Sequence, residues 1–219
     1  MITLTQQNDL FISIGNLLSK KIKCYAIGGT AMMIRGIKSS TLDIDLVFNN
    51  SSERIEFINA VKKLGGKDSD VTLVYREKIN TPHLISIPDA RFDLFLEKII
   101  TSTFSNNMKS RANQIHEYGK NLIILPADPI DIIIMKSATS RDKDLEDITL
   151  ISNSSKINWN LILEELKEQI ILGNEWAILS FGENFEKLKD RNALSIPQDF
   201  WDALWTLLNE QISKKMQKK

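Results

Sequence analysis

"YAIGGTAMMIRGIKSSTLDIDLVF", running from Tyr25 to Phe48, holds two adjacent glycines and then two aspartates one residue apart in an apolar run. Its last seven residues alternate as a strand does. Leu42, Ile44, Leu46 and Phe48 share one face, and Asp43, Asp45 and Val47 share the other. Aspartate is depleted in strands, and like charges at i and i+2 repel on a common face. The pair therefore predicts a positive partner. Upstream, a short strand around Lys23 to Ile27 meets Gly28-Gly29, and a helix is expected over Thr30 to Arg35. Glycines at such a turn let the backbone approach a ligand closely, and the first N–H groups of the helix point at an anion, typically phosphate. The spacing is neither the dinucleotide-binding GxGxxG nor a P-loop.

Working outward, "NDLFISIGNLLSKK" places Leu10, Ile14, Leu17 and Leu18 on one helical face. "SSERIEFINAVKKLGG" reads as a helix with Ile55, Ile58 and Val61 at helical spacing, stopped by Gly65-Gly66. "VTLVYR", "LISI", "RFDLFL" and "NLIIL" read as strands, the last ending at Pro126. Five helical stretches follow: "PADPIDIIIMKSAT", "SRDKDLEDITLI", "NWNLILEELKEQIIL", "NEWAILSFGENFEKLKD" and "PQDFWDALWTLLNEQISKKMQKK". The expected fold is α/β (α+β): a small mixed sheet flanked by helices over 1–126, then an all-helical domain over 127–219. Trp159, Trp176, Trp201 and Trp205 all fall in the second half, where they are expected to pack helices together.

Asp93, inside the apolar alternation of "RFDLFL", supplies a third acid on a third strand. Alone, Asp-x-Asp also suits a solvent-facing edge strand. Three carboxylates in one pocket cannot all stay ionised in low dielectric without a counter-charge. Divalent metal provides one, since Mg²⁺ takes one or two carboxylates together with substrate phosphates. Such ions activate a hydroxyl and neutralise phosphates under displacement.

Taken together, Ile27-Gly28-Gly29, thirteen residues from Thr30 to Leu42, Asp43-Ile44-Asp45-Leu46 and the later Asp93 resemble the minimal nucleotidyltransferase domain of the DNA polymerase beta superfamily. That resemblance implies transfer of a nucleoside monophosphate from a nucleoside triphosphate to an acceptor hydroxyl. It implies that Asp43, Asp45 and Asp93 hold Mg²⁺ (or Mn²⁺), that Asp93 helps deprotonate the hydroxyl, and that Gly28, Gly29 and Thr30 cradle phosphates. With "LPADPIDIIIMKSATSRDKDLEDI", the chain is further similar to abortive-infection and toxin–antitoxin nucleotidyltransferases. This second likeness implies that Lys136 and Arg141, a Lys-x4-Arg element, hold nucleotide phosphates beside an acidic helix carrying Lys143, Asp144 and Asp147. It also implies an RNA (tRNA) or protein acceptor, a cognate toxin or antitoxin partner, and a helical half that closes the nucleotide cleft. The other reading of the basic residues is a solvated helix face with i,i+4 pairing, Lys143 with Asp147. Lys136 and Arg141 can converge only if the helix ends between them, with Thr139 and Ser140 capping the next.

Two further classes stay open. A glycosyltransferase also uses Asp-x-Asp, though it leaves Gly28-Gly29 and Asp93 unexplained. A binding module such as an antitoxin could keep the fold without the chemistry. His83 and His116 are too few and too far apart for a zinc site. The formal net charge of zero over 219 residues does not announce a nucleic-acid binder, and the "KKMQKK" tail suits either a phosphate backbone or a solvated helix end. One cysteine, Cys24, excludes an intramolecular disulfide framework and is expected in the core. The N-terminus lacks a basic signal-like region. No apolar run approaches the roughly 18 residues of a spanning helix. A cytoplasmic protein without a membrane partner is expected.

Overall fold

The computed structural model describes residues 1–217 except Ser140 and Asn192, with no side chains described beyond Ser213. The expected capping by Ser140 and the expected roles of the basic tail lie outside the described residues. The chain forms two compact units, one of residues 1–100 and 104–128 and one of residues 101–103 and 129–219.

The first unit is built on a mixed sheet of seven strands among the described residues. Across the sheet they run His116–Tyr118, Leu122–Pro126, Ile22–Ala26, Ile44–Phe48, Ala90–Phe95, His83–Ile87 and Lys67–Asp68. Two pairings are parallel: Leu122–Pro126 with Ile22–Ala26, and Ile44–Phe48 with Ala90–Phe95. Apart from Asp45, Arg91 and Asp93, the central strands are largely apolar on both sides, as strands covered on both faces are. Cys24, Ala26, Ile44, Leu46, Val47, Phe92 and Leu94 are all fully buried. Helix Ser51–Lys63, opened by the Asn50 side chain accepting from the Glu53 N–H at 2.9 Å, sends Phe57 between Phe48 and Phe92, with ring centroids 5.3 and 5.9 Å away. Helix Leu4–Leu17 starts in a reciprocal capping box between Thr3 and Gln6 and packs Phe11 on Tyr118 at 5.1 Å.

The expected inward faces hold in part: Ile14, Leu18, Ile58 and Val61 are buried, but other positions differ. The first helix buries Gln7, Phe11, Ile14 and Gly15, while Leu10 and Leu17 are only half-buried. Gly15 sets that orientation, since a methyl group there would lie 2.0 Å from the Tyr118 carbonyl oxygen, so only glycine allows the contact. Ile55 is exposed and Phe57 takes its place in the core. Leu42 precedes the strand and is exposed. "VTLVYR" is not a strand: Val71–Tyr75 is one short helix, because the Asp70 carboxylate accepts from the Thr72 N–H at 2.8 Å and caps it.

The second unit contains the helices Pro129–Ser137, Asp142–Ser154, Trp159–Ile171, Glu175–Asp190 and Gln198–Gln217. Its core includes Phe181 stacked on Phe185 at 4.0 Å, and Trp159 against Phe200 at 4.7 Å. Trp201 is buried beneath the Lys189 ammonium, which lies 4.7 Å from its ring. Trp176, expected to pack helices, is 67% exposed. The segment 101–103 is held by side chains: Gln169 accepts from the Thr103 N–H at 3.0 Å and donates to its carbonyl at 2.8 Å. No helix among the described residues is long and apolar enough to cross a membrane.

Candidate active site

The acids converge because of strand register. Asp45 and Asp93 are direct partners on the parallel strands Ile44–Phe48 and Ala90–Phe95. Partners in register project to the same face. Asp43 lies in the bend just before this strand, and its Oδ2 accepts from the Arg91 guanidinium that also bonds Asp93. One oxygen from each of Asp43, Asp45 and Asp93 can be chosen so that all three lie within 4.8 Å of one another. Asp93 is fully buried and the other two are half-buried.

The glycine turn is fitted against these acids. Helix Gly28–Ile34 begins with Gly28 at φ +54°, a backbone shape that side chains resist. A methyl group there would lie 2.8 Å from Asp45 Oδ2, and one at Gly29 would lie 2.3 Å from Thr41 Oγ1. Thr30, expected to touch phosphate, has its hydroxyl fully buried and accepting from the Asp45 N–H at 2.8 Å. Its side chain thus ties the glycine turn to the acid strand. Ile27 closes the same junction, donating its N–H to the Asp45 carbonyl at 3.1 Å.

The positive partner that the aspartate pair called for is Arg91. Its Nε donates to Asp93 Oδ1 at 2.7 Å and its Nη2 donates to Asp93 Oδ2 at 3.1 Å; the same Nη2 also donates to Asp43 Oδ2. Tyr75, from the short helix, donates its hydroxyl to Asp93 Oδ2 at 2.6 Å. Burial pushes the Asp93 carboxyl above the ordinary carboxylate range; Arg91 and Tyr75 pull it back only in part, and Asp43 adds to the rise. Burial also pushes the Tyr75 phenol up, and the nearby charges of Asp93 and Asp45 push the same way. Burial alone would lower Arg91, but its bonds to Asp93 hold it above its ordinary value. Neither Arg91 nor Tyr75 was singled out from the sequence. Arg91 had a signal, since it sits two residues before Asp93 and so shares its strand face. Tyr75 has none, because the composition of its segment points to a strand.

A family model described as "Nucleotidyltransferase of unknown function (DUF6036)" matches residues 8–192. The chain belongs to this family. It is a nucleotidyltransferase, and its transfer chemistry requires a nucleotide donor and an acceptor. Among solved structures, it is similar to ANT(2'')-Ia in complex with adenylyl-2''-tobramycin. The two are 18% identical, with 68% of this chain and 88% of that one covered and a TM-score of 0.46. It is also similar to a candidate nucleotidyltransferase from H. pylori, at 14% identity, 97% and 95% coverage and a TM-score of 0.42. No curated protein matches the sequence.

Three carboxylates of this nucleotidyltransferase, offering hard oxygen donors within one small space, are a donor set compatible with Mg²⁺ or Mn²⁺. The histidines lie elsewhere: His83 pairs with Asp68 at 2.9 Å, and His116 stacks on Tyr118. Cys24 is a fully buried thiol whose pKa burial pushes well up.

In the helical unit, Lys136 ends the helix Pro129–Ser137 and is buried rather than solvated. Its ammonium lies 2.9 Å from Asp144 Oδ1 and 2.6 Å from Asp147 Oδ2. Asp147, expected opposite Lys143 on the solvated-face reading, is thus buried against Lys136, while Lys143 is exposed. Arg141 takes the cap position of the next helix and bonds Asp144 through Nε at 2.7 Å, with its side chain 71% exposed. The Thr139 hydroxyl also donates to Asp144. Burial opposes the charge on Lys136, but Asp144 and Asp147 hold its pKa above the ordinary value. Burial likewise opposes the charge on Asp144, yet Lys136 and the bonds from Arg141 and Thr139 keep it below.

Proposed function

We propose that this nucleotidyltransferase moves a nucleoside monophosphate from a nucleoside triphosphate to a hydroxyl of an RNA (tRNA) or protein acceptor, in a reaction that depends on Mg²⁺ or Mn²⁺. The observation that carries the reading is the convergence of Asp43, Asp45 and Asp93 beside the Gly28-Gly29 turn. Asp43, Asp45 and Asp93 are the residues that would hold the metal. When bound, it supplies charge neutralisation at the phosphates and a more acidic acceptor hydroxyl. Gly28 and Gly29 offer backbone where a side chain would collide, which lets the triphosphate approach. The acceptor oxygen attacks the α-phosphorus, the bond to the β-phosphate bridging oxygen breaks, and pyrophosphate leaves. Asp93 would take the proton of the acceptor hydroxyl, which the bound metal would make more acidic. The likeness to abortive-infection enzymes supports a cytoplasmic setting with a cognate toxin or antitoxin as partner.

The test offers an α-labelled triphosphate, each base in turn, to the purified chain with cellular RNA or protein. Label should move to one pool only when Mg²⁺ or Mn²⁺ is present, and Asp43→Asn should abolish transfer. Transfer that survives Asp43→Asn, or that proceeds equally in chelator, would overturn the proposal.

A further inference from the structure

We propose that Arg91 is the resident counter-ion of the acid triad and must be displaced before a divalent metal can bind there. The inference rests on the reading of Asp43, Asp45 and Asp93 as metal ligands. Its basis is how fully Arg91 occupies them. Its guanidinium spans two different acids, Asp93 through both oxygens and Asp43 through Oδ2. A carboxylate has about four lone-pair positions. Asp93 spends two on Arg91 and a third on Tyr75. A Mg²⁺ ion needs oxygens at about 2.0–2.1 Å in near-octahedral order, and its charge repels a guanidinium bonded to the same carboxylates. The two cations therefore compete for one donor set.

Displacement is sterically open to Arg91. Its side chain is 30% exposed, whereas that of Asp93 is 0% exposed, so the guanidinium can swing out into water while the acid stays in place. The arrangement acts as a charge relay between two states. Without metal, one fixed positive charge keeps three crowded carboxylates tolerable. With metal, the same carboxylates receive at least two positive charges, and the released guanidinium stands next to the site. Tyr75 is part of the resting arrangement, since its only described bond to the acids is to Asp93 Oδ2, on the oxygen that Arg91 also uses.

Metal binding to a site that is open only part of the time is weakened by the open fraction. If the fork is closed about nine-tenths of the time, Arg91→Met should bind Mn²⁺ about tenfold more tightly than the unaltered chain. The experiment is calorimetry and Mn²⁺ electron paramagnetic resonance on the full chain, with no nucleotide present. Arg91→Lys, which keeps the charge but not the fork, should fall between the two. Without metal, Arg91→Met should melt at a lower temperature, and Mn²⁺ should raise its melting point more than it raises that of the unaltered chain. Equal or weaker Mn²⁺ binding by Arg91→Met would overturn the proposal. A crystal of the unaltered chain soaked in Mn²⁺ tests the same point independently of the variant's folding. Metal bound with Arg91 still bridging Asp43 and Asp93 overturns it, and a withdrawn guanidinium supports it. Absence of saturable Mn²⁺ binding in every form would instead overturn the metal reading of the triad, and this inference with it.

Discussion

Replacing Lys136 with methionine should cost the helical unit about 3 kcal/mol, the low end of the range for breaking one side of a buried ion pair. The side chains of Lys136, Asp144 and Asp147 are 10, 2 and 4% exposed, so water cannot take over the lost contacts. Methionine fills most of the volume, which leaves charge as the main loss. The low end is expected because Arg141 still serves Asp144. The pH dependence follows from the direction of each shift. Lys136 is raised, so its contribution is present below its ordinary 10.5 and is lost as pH climbs through the higher native value. Asp144 is lowered, so its contribution is present above its ordinary 3.8 and is lost as pH falls through the lower native value. The unaltered unit should therefore hold a plateau between these limits. In Lys136→Met the buried acids lose their cation and gain from protonation, so the deficit should shrink as pH falls toward 4. Urea unfolding followed by tryptophan fluorescence reads this out, since all four tryptophans belong to this unit. The midpoint should move while the slope stays the same. A loss below about 1 kcal/mol at pH 7, the scale of a surface pair, would refute the buried-cation reasoning, as would a deficit that ignores pH.

Asp45→Asn relieves a crowded acid, so without metal the chain should be as stable as before or up to about 2 kcal/mol more stable. Thermal melts in chelator check this, and a large loss would make Asp45 a structural ion-pair partner. Gly28→Ala should cost about 1–2 kcal/mol for its left-handed backbone; because its methyl meets Asp45 Oδ2 at 2.8 Å, nucleotidyl transfer should fall as well. An unchanged melt and an unchanged rate would mean that the turn is not held in this shape. Cys24 should resist iodoacetamide at pH 8 in the folded chain and react fully in urea, since it is buried and its thiol pKa is pushed up.

The parts of the site that lie close in sequence or in strand alternation were legible. Gly28-Gly29 breaks a strand, Asp45 sits in a strand as expected with Asp43 just before it, and Asp93 stands out as an acid between apolar neighbours. What could not be read was what each charge meets across space. Lys136 looks like a surface residue on its own helix. Its partners lie eight and eleven positions on, across a helix break, and only packing shows them to be buried. "VTLVY" carries β-branched residues in a strand-like mixture, so composition pointed the wrong way; one side-chain cap at Asp70 decided the helix instead. The first helix differs in part for a similar reason. Ile14 faces inward as expected, but the close approach at Gly15 brings Phe11 in and leaves Leu10 and Leu17 half-buried.

The in-register pairing of Asp45 with Asp93 has a consequence for variation in this protein. Parallel neighbours cannot be joined by a tight turn, and here residues 49–89 make the connection. The two acids are aligned by the ladder between their strands, not by the length of that excursion. Insertions at its exposed surface turns, such as the one at Gly65, which has open space around it, can thus lengthen the detour while the carboxylates keep their spacing. A single-residue slip of the ladder would do the reverse, turning Asp93 to the far side of the sheet and leaving every loop intact. The exposed turns of this excursion can thus vary in length, while the four rungs from Ile44 to Val47 cannot shift.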